Sequence, residues 1–203
     1  MKGDERRRVA EEAARLLYCS IAREYKQAKE EAARNLNVKV FPSNFEVAVE
    51  LDKMADDAEG VGREKLIVDL RRDALKIMKR LKAFHPRLIG SVWRGTARKG
   101  SDIDIEVFSQ NPELVAKAIE DEYEVLRVEH AAKTLNGKTD RFLHIYFKPS
   151  PEYEVDIAVN GLERIRERRR CDVYGDLIVG LTLHQLEKIL EENPHKRFIP
   201  KRR

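Results

Sequence analysis

From Asp4 to Asn35 the apolar positions Val9, Ala13, Leu16, Leu17, Ile21, Tyr25, Ala28 and Ala32 recur at intervals of three and four, with charged residues between them. That spacing draws one stripe along a helix, and nothing after Gly3 interrupts it with glycine or proline. A helix of some 30 residues is about 45 Å long, more than a small domain covers alone, so this stripe is a packing face and a candidate for self-association into a homo-oligomer. Phe41-Pro42-Ser43-Asn44 breaks the pattern, and Ser43 followed by Glu46 is the capping box of a second helix, Asn44 to Ala58. Gly60-Val61-Gly62 reads as a hinge into a third, Arg63 to Phe84, whose buried face is Leu66, Ile67, Leu70, Ala74, Leu75, Ile77, Met78 and Leu81. His85-Pro86 ends it.

Beyond Pro86 the period shortens to two. Strands are expected over Arg87–Gly90, around Asp102–Ile105, over Tyr123–Ala132 and Thr139–Lys148 either side of an Asn136-Gly137 hairpin turn, and over Tyr153–Val159. Between them Asn111-Pro112 starts a helix that runs to Glu122, Gly161–Arg170 reads as helical, and Thr182 with Gln185 caps a last helix to Glu192. A basic tail containing Lys196, Arg197 and Lys201 to Arg203 reads as mobile. The pattern predicts a helical region over residues 1–84 and an α+β domain over 85–203, a mixed sheet with flanking helices.

Composition narrows the partners. Of 203 residues 42% are hydrophobic and 37% charged, with a net charge of +4 and a pI near 9.0. This leans toward an anionic partner, a nucleotide or an RNA met by basic residues such as the Arg164–Arg170 run, without separating the two. Two cysteines, Cys19 and Cys171, support neither a disulfide framework nor a zinc site. No apolar run approaches the roughly 18 residues of a membrane span, so a cytoplasmic protein without membrane association is expected. The five histidines show no ligand spacing; His130 and His144 fall on strands.

The chemistry concentrates between Leu88 and Phe108. Asp102 and Asp104 alternate with Ile103 and Ile105, which sends both carboxylates to one face of a strand, about 6.6 Å apart. Two like charges on one face repel unless a cation lies between them. The preceding loop suits an anion: Gly90 and Gly95 admit close backbone approach, Ser91, Thr96 and Ser101 carry hydroxyls, and Arg94, Arg98 and Lys99 carry positive charge. A phosphate cradle followed by two metal-holding carboxylates is what phosphoryl transfer requires.

Gly90-Ser91, ten residues, then Asp102-Ile103-Asp104-Ile105 resembles the signature of the DNA polymerase β superfamily of nucleotidyltransferases. The wording is closest to the palm of archaeal CCA-adding enzymes and to the small antitoxin-type nucleotidyltransferases. The resemblance covers residues 86–160 and implies a third carboxylate on a later strand, which Asp156 supplies. It further implies two Mg2+ (or Mn2+) ions held by Asp102, Asp104 and Asp156, and a nucleoside triphosphate gripped by Gly90, Ser91, Arg94, Arg98, Lys99 and Ser101. The implied reaction moves a nucleoside monophosphate to an acceptor hydroxyl on RNA, protein or a small molecule, releasing pyrophosphate. A non-catalytic RNA-binding or protein-interaction module on the same fold is the alternative. Only about 40 residues follow the palm, too few for the tRNA-gripping domains of CCA-adding enzymes, and an 84-residue helical lead-in is foreign to the antitoxin type.

Overall fold

The computed structural model describes the backbone of residues 2–135 and 138–200 and, within them, every side chain outside Lys2 and residues 131–142. The Asn136-Gly137 turn and Lys201–Arg203 lie outside the described residues. The chain divides into two compact units, residues 1–63 with 170–177 and 200–203, and residues 64–169 with 178–199.

The first unit holds α1 (Lys2–Tyr18), α2 (Tyr25–Asn35) and α3 (Asn44–Glu59). The single long helix expected over Asp4–Asn35 is therefore two. Ser20 takes a left-handed φ of 57°, and the amides of Ile21 and Ala22 both donate to the Leu16 carbonyl, closing α1 with a turn that needs neither glycine nor proline. The reversal lets the stripe bury itself. Val9, Ala13, Leu16 and Leu17 pack with Ala28 and Ala32 of α2 and Val47 of α3, and the argument for self-association from an uncovered 45 Å face falls away. The Ser43–Glu46 capping box forms as expected. In the same unit, Asn44 donates to the Asp172 carbonyl and the Phe45 ring meets Tyr174 edge-on, which anchors residues 170–177.

The second unit is a six-stranded mixed sheet in the order β3-β4-β5-β2-β1-β6, with β1 (Arg87–Ile89), β2 (Ile103–Phe108), β3 (Val125–Leu135), β4 (Lys138–Ser150), β5 (Tyr153–Asn160) and β6 (Leu181–Thr182). It carries most of α4 (Val61–Arg80), together with α5 (Gly90–Arg94), α6 (Pro112–Glu120) and α7 (Leu183–Glu192). Among the described residues β2 and β5 pair in parallel, and the other strand pairs are antiparallel. Period-2 alternation sorts the faces. Ile103, Ile105, Val107, Val155, Ile157, Ile145 and Phe147 are fully buried in one cluster with α4 and α6, and the opposite face carries the polar residues.

Two further expectations change. Gly161–Arg170 is not a helix: a single 3-10 turn over Leu162–Arg164 gives way to irregular chain, because Arg169 is drawn to the buried carboxylate of Glu106 on β2 and Arg164 to Glu167. The tail is docked as far as Ile199. Its anchor is Arg71 of α4, fully buried, whose guanidinium donates to the carbonyls of Val92 and Trp93 at 3.1 and 2.9 Å and of Pro194 and Lys196 at 2.6 and 2.8 Å. Phe198 then pairs with Arg94: its amide donates to the Arg94 carbonyl, and its own carbonyl accepts from the Arg94 side chain.

Candidate active site

The parallel pairing of β2 with β5 sets Asp104 directly opposite Asp156. Neighbouring strands lie about 4.8 Å apart, and directly paired residues point to the same side, so two residues 52 positions apart in sequence present their carboxylates as neighbours. Asp102 precedes β2 by one residue, on the same side as Asp104, and accepts a hydrogen bond from the backbone amide of Glu154. On the other flank β1 sets Ile89 opposite Asp104, and Gly90 follows as the first residue of α5. A Cβ at position 90 would stand 1.9 Å from Asp104 Oδ2, and the φ of +70° is itself suited to glycine. Glycine is thus the residue that lets the turn sit on the carboxylate.

Electrostatics point the same way. Burial, with the charges of Asp156 and Asp102 adding to it, pushes the Asp104 carboxyl up to about 7. Asp102 is raised by desolvation and by the neighbouring acids, and Asp156 is raised by burial against the opposing effect of His144. Among the described residues no hydrogen-bond donor meets Asp104, so its charge lacks a partner there. As the side chains stand, no group of three or more His, Cys, Asp or Glu among the described residues converges tightly enough to enclose a metal ion. The donor set fits a divalent cation by its charge and by the Asp104–Asp156 pairing, not as a closed cage.

The raised carboxyl makes stability depend on pH. The folded chain protonates Asp104 near pH 7 and the unfolded chain near its ordinary 3.8, so between those values the folded state binds more protons and stability falls as pH rises. The slope is about 1.4 kcal/mol per pH unit for one such group, flattening above pH 7. Thermal melting of the metal-free protein is expected to show Tm falling from pH 5 to pH 7.5, with millimolar Mg2+ restoring it at the upper end. A Tm that rises across this window, and ignores Mg2+, contradicts the assignment.

The remaining sequence-predicted residues are spread along the loop. Ser91 is the second residue of α5, half-buried, with no hydrogen-bond partner for its hydroxyl among the described residues. Arg94 is buried, stacked over Trp93 at 4.4 Å and bonded to the Phe198 carbonyl, which directs its guanidinium to the C-terminal segment. Ser101 uses its hydroxyl oxygen to accept the Arg98 amide, and its own amide donates to the Arg98 carbonyl, closing the turn before Asp102. Arg98 is half-buried and Lys99 exposed. Two residues beyond Asp104 the buried Glu106 is paired with Arg87 at 3.1 Å and with Arg169, while Arg166 and Arg168 are exposed. A cavity of about 550 Å3, bordered by Pro112, Ala116, Val128, Leu143 and Val159, includes none of the three aspartates.

Sequence reasoning missed His144. It lies on β4, and its Nδ1 is 2.8 and 3.0 Å from the two oxygens of Asp156. Only the β4–β5 register, with His144 opposite Ala158 and Tyr146 opposite Asp156, makes this contact visible. The one signal in the sequence was the alternation of His144 and Tyr146 with buried Ile145 and Phe147.

Among the described residues no helix is long and apolar enough to cross a membrane. No curated protein and no solved structure is significantly similar to the chain. The family model described as a nucleotidyltransferase domain matches residues 71–199, a span that contains all three aspartates, the Gly90-Ser91 turn and the whole sheet. This chain belongs to the nucleotidyltransferase domain family.

Proposed function

We propose that the protein transfers a nucleoside monophosphate from a nucleoside triphosphate to an acceptor hydroxyl, with Asp102, Asp104 and Asp156 as its catalytic carboxylates. The observation that supports this most strongly is the direct pairing of Asp104 with Asp156 across β2 and β5, beneath a glycine that a side chain could not replace. The three aspartates would hold Mg2+ ions, with Mn2+ as a substitute; when bound, the ions neutralise phosphate oxygens and acidify a coordinated hydroxyl. Asp156, at the edge of the carboxylate group toward β4, would take the proton of the acceptor hydroxyl. The acceptor oxygen forms its bond to the α-phosphorus as the α–β phosphoanhydride breaks, and pyrophosphate leaves. Gly90 and Ser91 would grip the leaving phosphates through backbone amides and the Ser91 hydroxyl, with Arg98 and Lys99 on the same loop. The exposed Arg166 and Arg168 would meet a polyanionic acceptor such as RNA.

Incubation with each α-32P nucleoside triphosphate, Mg2+ and a mixture of RNA, the protein itself and small polyols is expected to leave label on one acceptor class and to release pyrophosphate. Label that stays wholly in the triphosphate, with every nucleotide and acceptor, overturns the reading in favour of a non-catalytic module.

A further inference from the structure

We infer that His144 is a positioning residue for Asp156, a role that rests on the nucleotidyl transfer reading and adds a fourth side chain to the site. The three carboxylates are not held alike. Asp104 meets no donor among the described residues, Asp102 accepts a single backbone amide, and Asp156 alone receives a side-chain donor, at 2.8 and 3.0 Å to its two oxygens. An ionised carboxylate can only accept, so Nδ1 is the nitrogen that carries hydrogen, and this contact fixes the tautomer. A carboxylate offers about four lone-pair sites. One shared donor occupies a site on each oxygen and leaves the other two in a defined direction for a cation and an acceptor hydroxyl.

The imidazole is itself braced. Tyr146 lies parallel to it at 6.0 Å and 15°, and the Arg127 guanidinium sits 3.7 Å over the Tyr146 ring. Arg127 is pinned to Glu154 at 2.7 and 3.0 Å and to Glu129 at 2.9 Å. These residues lie on β3, β4 and β5, on the carboxylate face, and form a continuous brace running from the sheet edge to Asp156. Ala158, opposite His144, is small enough to leave the ring room to lean toward Asp156. A histidine merely filling space would have no need of a braced contact to both oxygens. Groups that orient a ligating carboxylate typically change metal affinity or activity by about 10–100-fold when removed.

The test uses the full chain with His144→Ala and His144→Asn, Asn being chosen because its Nδ2 stands at the same bond distance from the backbone as Nδ1. Two readouts are taken: binding of Mn2+ alone, followed by electron paramagnetic resonance, and steady-state transfer to the acceptor found above. In His144→Ala we expect Mn2+ affinity and kcat each to fall at least tenfold, with KM for the nucleotide within about twofold of wild type, and in His144→Asn both to recover to within about threefold. Ala with Mn2+ affinity and kcat within twofold of wild type overturns the inference, as does Asn no better than Ala. Should the wild type bind Mn2+ but transfer nothing, a loss in Ala restored in Asn still supports positioning, and only the transferase reading fails.

Discussion

Asp104→Asn is expected to lower nucleotide transfer by at least about 10³-fold, a barrier increase of about 4 kcal/mol, while raising the melting temperature of the metal-free protein. The two effects share a cause. Asp104 is half-buried, has no donor among the described residues, and stands opposite Asp156 with Asp102 two residues away. Its charge is costly in the fold without a cation, which is why its carboxyl titrates near 7. Asparagine keeps the shape beside Gly90 but removes the charge, so at pH 8 the repulsion disappears and stability rises by about 1–3 kcal/mol, or several degrees in a chain of this size. A side chain retained for catalysis at the expense of stability shows this pairing of signs. Transfer kinetics and thermal melting on one preparation decide it. Unchanged transfer removes Asp104 from the active site, and a lowered melting temperature would show that its charge is already compensated within the fold.

How much of this could be read from the residues follows the range over which each feature is determined. The strand alternation of Asp102, Ile103, Asp104 and Ile105, and the Ser43–Glu46 and Thr182–Gln185 caps, are decided within a few positions and stand in the structure as expected. The α1–α2 reversal was not legible, because Ser20 adopts a left-handed conformation in a stretch with no glycine, and what selects the turn is burial of the alanine stripe between helices distant in sequence. The contact of His144 with Asp156 depends on the register of β4 against β5, which no local pattern encodes. Arg94 reads as a phosphate ligand from its positive charge in a loop of Gly, Ser and Thr; its hydrogen bond to the carbonyl of Phe198, 104 positions away, is not visible in that loop. Arg71 did leave a trace. It lies four residues after Ile67 and three before Ala74, inside the apolar stripe of α4, where an arginine requires a reason.

That reason yields the second large effect: Arg71→Met is expected to destabilise the protein by at least about 4 kcal/mol. Methionine preserves much of the buried stem but none of the donors, so the carbonyls of Trp93, Pro194 and Lys196 lose the guanidinium together, while that of Val92 keeps the Gly95 amide. A buried polar group deprived of its partner costs about 1–3 kcal/mol, and three acceptors are deprived at once. Burial lowers the guanidinium to about 10, so it stays charged at neutral pH, supported by these carbonyl dipoles. Arg71→Lys should recover only part of the loss, since an ammonium offers three donors where the planar guanidinium offers five. The damage should also be local in a characteristic way. Gly95 is pressed between the Lys196 carbonyl and the Arg71 guanidinium, at 2.9 and 3.1 Å from where a Cβ would stand, and the Phe198 amide donates to Arg94 just beside it. Loss of Arg71 therefore frees the C-terminal segment from the end of α5, the helix whose first residue rests on Asp104. Hydrogen exchange is expected to show the Phe198 amide losing protection by more than the amides of β2 and β5, and denaturant unfolding gives the global loss. A Met variant with wild-type stability, or exchange that increases equally at Phe198 and in the central strands, would mean that Arg71 does not tie the tail to α5.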